Sequence, residues 1–223
     1  MADFLPPILS FDDPETPARL AAAWRAGAVA AFATETVYGV GVSADVPGAL
    51  DRLRALKGRD ADKPCQRLVP DLAAAQRLTA PWTPLETRLA EQGWPGPLTL
   101  ILRTRAAPVD FDSSPASAEG GSAGATLGLR VPAYGPLLRA LSLLGGGGVW
   151  AASANAAGEA PWAAAEAVAS WGGAALSLVA ARGAEGFSGR ASTVARVVGE
   201  RVEALRVGAW TAEDLERLAK NGR

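Results

Sequence analysis

Short apolar runs alternate along the chain with stretches of helical periodicity, and this pattern predicts an ordered string of strands and helices. Thr16-Pro17 reads as an N-cap with proline at the first helical position, opening an Ala/Leu-rich helix that Gly27 closes. Residues 28–33 are apolar and short, a buried strand, although their alanines suit a helix as well. Residues 34–41 follow as a turn-rich edge. Residues 46–56 set Leu50, Leu53 and Leu56 on one helical face, and Asp71 and Thr83-Pro84 start two further helices. Strands are predicted over 98–102, 127–131, 148–152 and 176–179, separated by helices over 136–144 and 161–171. Residues 194–198 and 202–205 add strands before a last helix after Thr211. Mixed alternation of this kind predicts an α/β or α+β fold with helices packed on a sheet.

Residues 107–124 break the pattern, being rich in Pro, Ser, Ala, Gly and Asp with few large apolar side chains. They predict a mobile surface loop inserted within one domain covering residues 1–223, because the strands on either side both read as buried.

Composition narrows the chemistry. The 223 residues are 49% hydrophobic, enough for a substantial core, and 22 basic residues against 23 acidic ones leave no global field toward nucleic acid or membrane. With no histidine, Ser-His-Asp and Cys-His machinery and every His-ligated metal site are excluded. Cys65 is the only cysteine, which rules out an intrachain disulfide and a cysteine-clustered metal site. The first thirteen residues lack a basic start followed by an apolar run, and no stretch has the apolar length of a membrane span. A cytoplasmic protein without membrane attachment is the expectation.

Four segments can carry chemistry, and each has an ordinary structural use. Thr34-Glu35-Thr36-Val37-Tyr38-Gly39-Val40-Gly41 sets hydroxyls and a phenol beside a strand, or is a turn capped by threonines. Gly39, Gly41 and Ala44, with Asp60 and Asp62 beyond, loosely match a dinucleotide fingerprint, but Pro47 delays the helix that such a fingerprint opens at once. Lys57-Gly58-Arg59-Asp60-Ala61-Asp62-Lys63 gathers three cations that can grip a triphosphate, or forms a solvated helix end. Ser153 and Asn155 follow a predicted strand, where α/β sheets hold ligands, or make an Asx turn. Ser192-Thr193-Val194 and Arg206-Val207-Gly208-Ala209 complete a polar pocket, or are hairpin surface.

In this order, these segments resemble the YrdC/TsaC family of threonylcarbamoyl-adenylate synthases. The matching stretches are residues 34–41, 57–64, 94–99, 130–132, 153–158, 192–194 and 206–209. Ala33, Ala152 and Ala157 stand where the family has proline, proline and serine, and Leu68 stands where it often has histidine near the threonine site. Within Cys65-Gln66-Arg67-Leu68, Arg67 is expected to point outward.

The resemblance implies a twisted mixed sheet flanked by helices around a concave basic cleft, in the single-domain form. It implies a nucleotidyltransferase that joins L-threonine, bicarbonate and ATP into threonylcarbamoyl-AMP and pyrophosphate for tRNA modification. Mg²⁺ would accompany the ATP, and enzymes that transfer the threonylcarbamoyl group to tRNA would act next. Lys57, Arg59, Ser153 and Asn155 are then the catalytic candidates. Thr34, Thr36, Tyr38, Arg130 and Ser192 would hold threonine, and Lys57, Arg59, Lys63, Ser153, Asn155 and Arg206 would hold ATP. The rival reading is a non-catalytic module that binds double-stranded RNA or tRNA in the same cleft.

Overall fold

The computed structural model describes residues 5–58, 65–105, 126–156, 158–182 and 187–220. The predicted loop at 107–124 and the candidates Arg59 and Lys63 lie outside the described residues. In chain order the elements are β1 (Ile8–Ser10), α1 (Thr16–Arg25), β2 (Ala30–Phe32), β3 (Gly39–Ser43), α2 (Ala49–Lys57), β4 (Gln66–Leu68), α3 (Leu72–Leu78) and α4 (Pro84–Gly93). There follow β5 (Leu98–Arg103), β6 (Thr126–Arg130), α5 (Gly135–Leu144), β7 (Val149–Ser153), α6 (Ala165–Gly172), β8 (Val179–Ala181), β9 (Thr193–Val198), β10 (Arg201–Arg206) and α7 (Ala212–Lys220).

Among the described residues all the strands join one ten-stranded mixed sheet in the order β1-β8-β2-β3-β7-β4-β6-β5-β9-β10. The parallel pairs are β1–β8, β2–β8, β4–β6 and β5–β9, and the remaining neighbours are antiparallel. Helices cover it: α1 packs on α5, α2 on β3, and α4 on α7. The predicted caps of two helices are present. Asp71 accepts from the Ala74 N–H at 2.7 Å, and Thr83 and Glu86 exchange side-chain-to-backbone bonds as a capping box. Thr16 differs from expectation. It is the first residue inside α1, and its hydroxyl donates to Ser10 O at 2.6 Å, tying the helix start to β1.

The turn-rich edge predicted at 34–41 is half right. Residues 34–38 form a loop, but Gly39 opens β3, a central strand buried throughout. The glycines that suggested a turn are there because Phe32 lies over them. A Cβ on Gly39 would meet the Phe32 ring at 2.8 Å, and one on Gly41 would meet Trp150 O and Val149 Cγ1 at 2.6 Å. The fully buried Trp24 of α1 meets Phe32 edge-on, with centroids 5.4 Å apart, and its indole N–H donates to Gly41 O. β1 and β4 were not predicted, since each has only three residues and β4 begins Gln-Arg. The helix predicted over 161–171 begins at Ala165, and the strand predicted at 176–179 is displaced to Val179–Ala181, as β8.

Candidate active site

The loop after β2 doubles back over the sheet. Arg130, at the end of β6 four places along from β2, therefore touches Glu35 and Thr36. Thr34 holds that loop in shape. Its oxygen accepts from the Thr36 and Val37 N–H groups at 3.0 and 3.1 Å, and its proton goes to Val37 O at 2.7 Å. Thr36 Oγ1 lies 2.8 Å from Thr34 Oγ1, so the two hydroxyls of this loop are in hydrogen-bond contact.

Arg130 is almost completely buried. Its Nε donates to Gly96 O at 3.1 Å, and Nη2 donates to Glu35 Oε1 at 2.7 Å and Thr36 Oγ1 at 3.0 Å. The Trp94–Thr99 stretch is thus the seat of this guanidinium: Gly96 N also donates to Val131 O at 2.8 Å, and Trp94 Nε1 to Leu98 O at 2.7 Å. Of the five guanidinium protons three are committed, and Nη1 has no partner among the described residues. It belongs to a side chain that lines a cavity of about 390 Å³, within the size range of small-molecule sites.

That cavity gathers Thr34, Thr36, Tyr38, Arg130, Ser153, Ser192 and Arg206, candidates from five separate parts of the sequence. Along its floor runs a second polar chain. Arg206 Nη2 donates to Ser192 Oγ at 3.2 Å and to Ser192 O at 2.9 Å; Ser192 Oγ is 2.9 Å from Thr99 Oγ1; and Thr99 Oγ1 donates to Gln66 Oε1 at 2.7 Å. Tyr38 fixes one wall, accepting at its Oη from Arg182 N at 3.3 Å and at its carbonyl from Ala154 N at 2.8 Å.

Lys57 and Asn155 come together outside the cavity lining. The buried Lys57 ammonium donates to Ser153 O at 2.6 Å, to Asn155 O and to Asn155 Oδ1 at 3.2 Å, and lies 5.6 Å from the Trp171 ring. Asn155 Nδ2 in turn donates to Ala156 O and Glu159 O, both at 2.8 Å. This lysine clamps the turn after β7, and Ser153, at the start of that turn, faces the cavity.

Arg67 does not simply point outward. Its guanidinium lies 4.1 Å from the Trp150 ring centroid, its Nε is buried with no hydrogen-bond partner among the described residues, and burial pulls its pKa down to about 10 against the opposing pull of Asp45. Gln66 and Leu68, its neighbours on β4, line the cavity and it does not. Gln66, Thr99, Thr126 and Glu35 are polar residues at the site that the sequence did not single out. Thr99 and Glu35 sat inside motifs already noted, whereas only the register of β4 brings Gln66 to the site.

Fold and site together define an α/β protein with a cavity of small-molecule size, in which a few polar groups converge among apolar side chains. The Sua5/YciO/YrdC family model, described as telomere recombination, matches residues 22–208, and the chain belongs to that family. Threonylcarbamoyl-AMP synthase of Chromohalobacter salexigens is 35% identical over 185 residues, covering 81% of this chain and 93% of the relative. The enzyme of the same name from Bacillus subtilis is 36% identical over 151 residues, but they make up only 41% of that longer protein. Among solved structures, P. abyssi Sua5 complexed with L-threonine superposes with a TM-score of 0.79 at 27% identity, covering 95% of this chain and 60% of that one. E. coli YciO, at 18% identity and a TM-score of 0.75, shares the fold.

Proposed function

We propose that this chain is a threonylcarbamoyl-AMP synthase, a nucleotidyltransferase that acts on L-threonine, bicarbonate and ATP. The observation that carries the reading is Arg130, a buried guanidinium with one face locked by Glu35, Thr36 and Gly96 and with Nη1 left to a cavity sized for a small molecule. Such a fork suits a carboxylate, which an amino acid supplies. Relatives of this name that match over most of their length, and a threonine complex of similar fold, support the same reading.

In the proposed reaction the threonine amine takes up bicarbonate with loss of water. The resulting carbamate oxygen attacks the α-phosphorus of ATP, and the bond to the bridging oxygen breaks to release pyrophosphate. No protein nucleophile is needed; the barrier falls through proximity and through stabilisation of charge on the phosphate. Arg130, Thr36, Tyr38 and Ser192 would orient the amino acid. Arg206 and Ser153 would meet the nucleotide, with Arg59 and Lys63 as further phosphate ligands. Lys57 and Asn155 would keep Ser153 in place and present charge behind it. Among the described residues no group of three or more Asp, Glu, Cys or His could cage a metal, so Mg²⁺ enters this reading bound to the ATP phosphates.

The product would pass to enzymes that modify tRNA. A cavity of about 390 Å³ favours this small-molecule reaction over duplex binding. Pyrophosphate release is the test. Release that requires threonine and bicarbonate together supports the proposal, and release independent of both, or none while ATP binds, contradicts it.

A further inference from the structure

The polar chain on the cavity floor has a direction. Thr99 has one hydroxyl proton and gives it to Gln66 Oε1, so in its 2.9 Å contact with Ser192 it can only accept. Ser192 is therefore the donor there, and its oxygen accepts from Arg206 Nη2. Two groups remain for a ligand. Ser192 Oγ keeps one lone pair, and the Gln66 amide NH₂ has no partner among the described residues while its side chain lines the cavity. An acceptor and a donor thus flank the same Thr99 oxygen.

We infer that Gln66 is a specificity-determining residue that selects an amino acid carrying a side-chain hydroxyl. A hydroxyl both donates and accepts, so it satisfies Ser192 Oγ and the Gln66 NH₂ together. A methyl group in its place leaves the buried Ser192 and the half-buried Gln66 amide unpaired, which is the kind of site that discriminates against the isostere. Gly128 keeps the floor beside Thr99 clear for the rest of the side chain, since a Cβ there would meet Ile101 Cδ1 at 3.2 Å and Thr99 Cγ2 at 3.4 Å. This inference rests on the amino-acid reading of the cavity proposed above.

The test compares threonine with valine, which has the same shape without the hydroxyl, by calorimetric titration of the wild type, Gln66→Met and Gln66→Leu. Pyrophosphate release is followed in parallel. The wild type is expected to prefer threonine by about tenfold or more. Both variants should bring that ratio below about threefold while valine affinity stays within about threefold, which also shows that the cavity is intact. Preference for threonine retained in both variants overturns the role of Gln66 and leaves the synthase reading standing if pyrophosphate is still released. A Gln66-dependent preference without any pyrophosphate release overturns the synthase reading alone. A wild type that binds neither amino acid, or both equally, overturns the inference.

Discussion

Arg130 joins the loop after β2, the Trp94–Thr99 stretch and the cavity through one planar group. Lysine keeps the charge but loses the fork that makes these contacts at once. Arg130→Lys should therefore lower threonine-dependent pyrophosphate release by at least about tenfold, the loss of one charge-assisted hydrogen bond. A rate within twofold of wild type would show that the fork is not used. Thr34 has a different kind of importance, because its hydroxyl satisfies the backbone of its own loop. Thr34→Val should cost about 2 kcal/mol in denaturant unfolding, and Thr34→Ser much less. The roles of these two residues were only partly legible in the sequence: the motif marks them, but nothing in it separates a loop cap from a ligand donor. Arg67 was legible as an oddity and misread, since the aromatic face it lies on belongs to Trp150, its register partner on the neighbouring strand β7. Its desolvation costs stability, so Arg67→Met should stabilise the fold by roughly 1 kcal/mol at neutral pH. The sign with pH follows from its lowered pKa. Below about 10 folded and unfolded chains both carry the charge and the cost is complete; above it the folded guanidinium loses its proton first, and the cost is relieved. The advantage of Arg67→Met should be constant from neutral pH to about pH 10 and then narrow, as pH-dependent unfolding would show.

At the scale of elements, helices were read well because their ends carry local chemistry. The Thr83–Glu86 capping box needs only four consecutive residues, and Thr83→Ala should cost about 1 kcal/mol of stability. Strands depend on partners elsewhere in the chain. β3 looked like a turn because its glycines make room for Phe32 and Trp150, contacts that no local pattern encodes. β4 is three residues long and brings both Gln66 and Leu68 to the cavity, yet its Gln-Arg start hides it. Gly41→Ala tests the account of β3. A Cβ 2.6 Å from a carbonyl oxygen of the neighbouring strand forces that strand to shift, so the loss should exceed about 2 kcal/mol by thermal or chemical unfolding. An unchanged midpoint would mean that β3 and β7 are not so closely held.

For the whole molecule, the sheet matters because it assembles groups from distant parts of the chain. The loop at 34–38, Gln66, Thr99, Arg130, Ser153, Ser192 and Arg206 meet around one cavity, while Lys57 reaches from α2 to the turn after β7. The order of motifs made the family legible, and the alternation of elements made the fold class legible; the pairing β3–β7–β4, on which the cavity depends, was not. The most direct test of the central claim is to supply ATP, Mg²⁺ and heavy-carbon bicarbonate with one amino acid at a time and to weigh the products. The expected product is an adenylate that forms with threonine, retains the heavy carbon, and appears together with pyrophosphate. An adenylate without the label, or no adenylate from any amino acid although ATP binds, would contradict the claim.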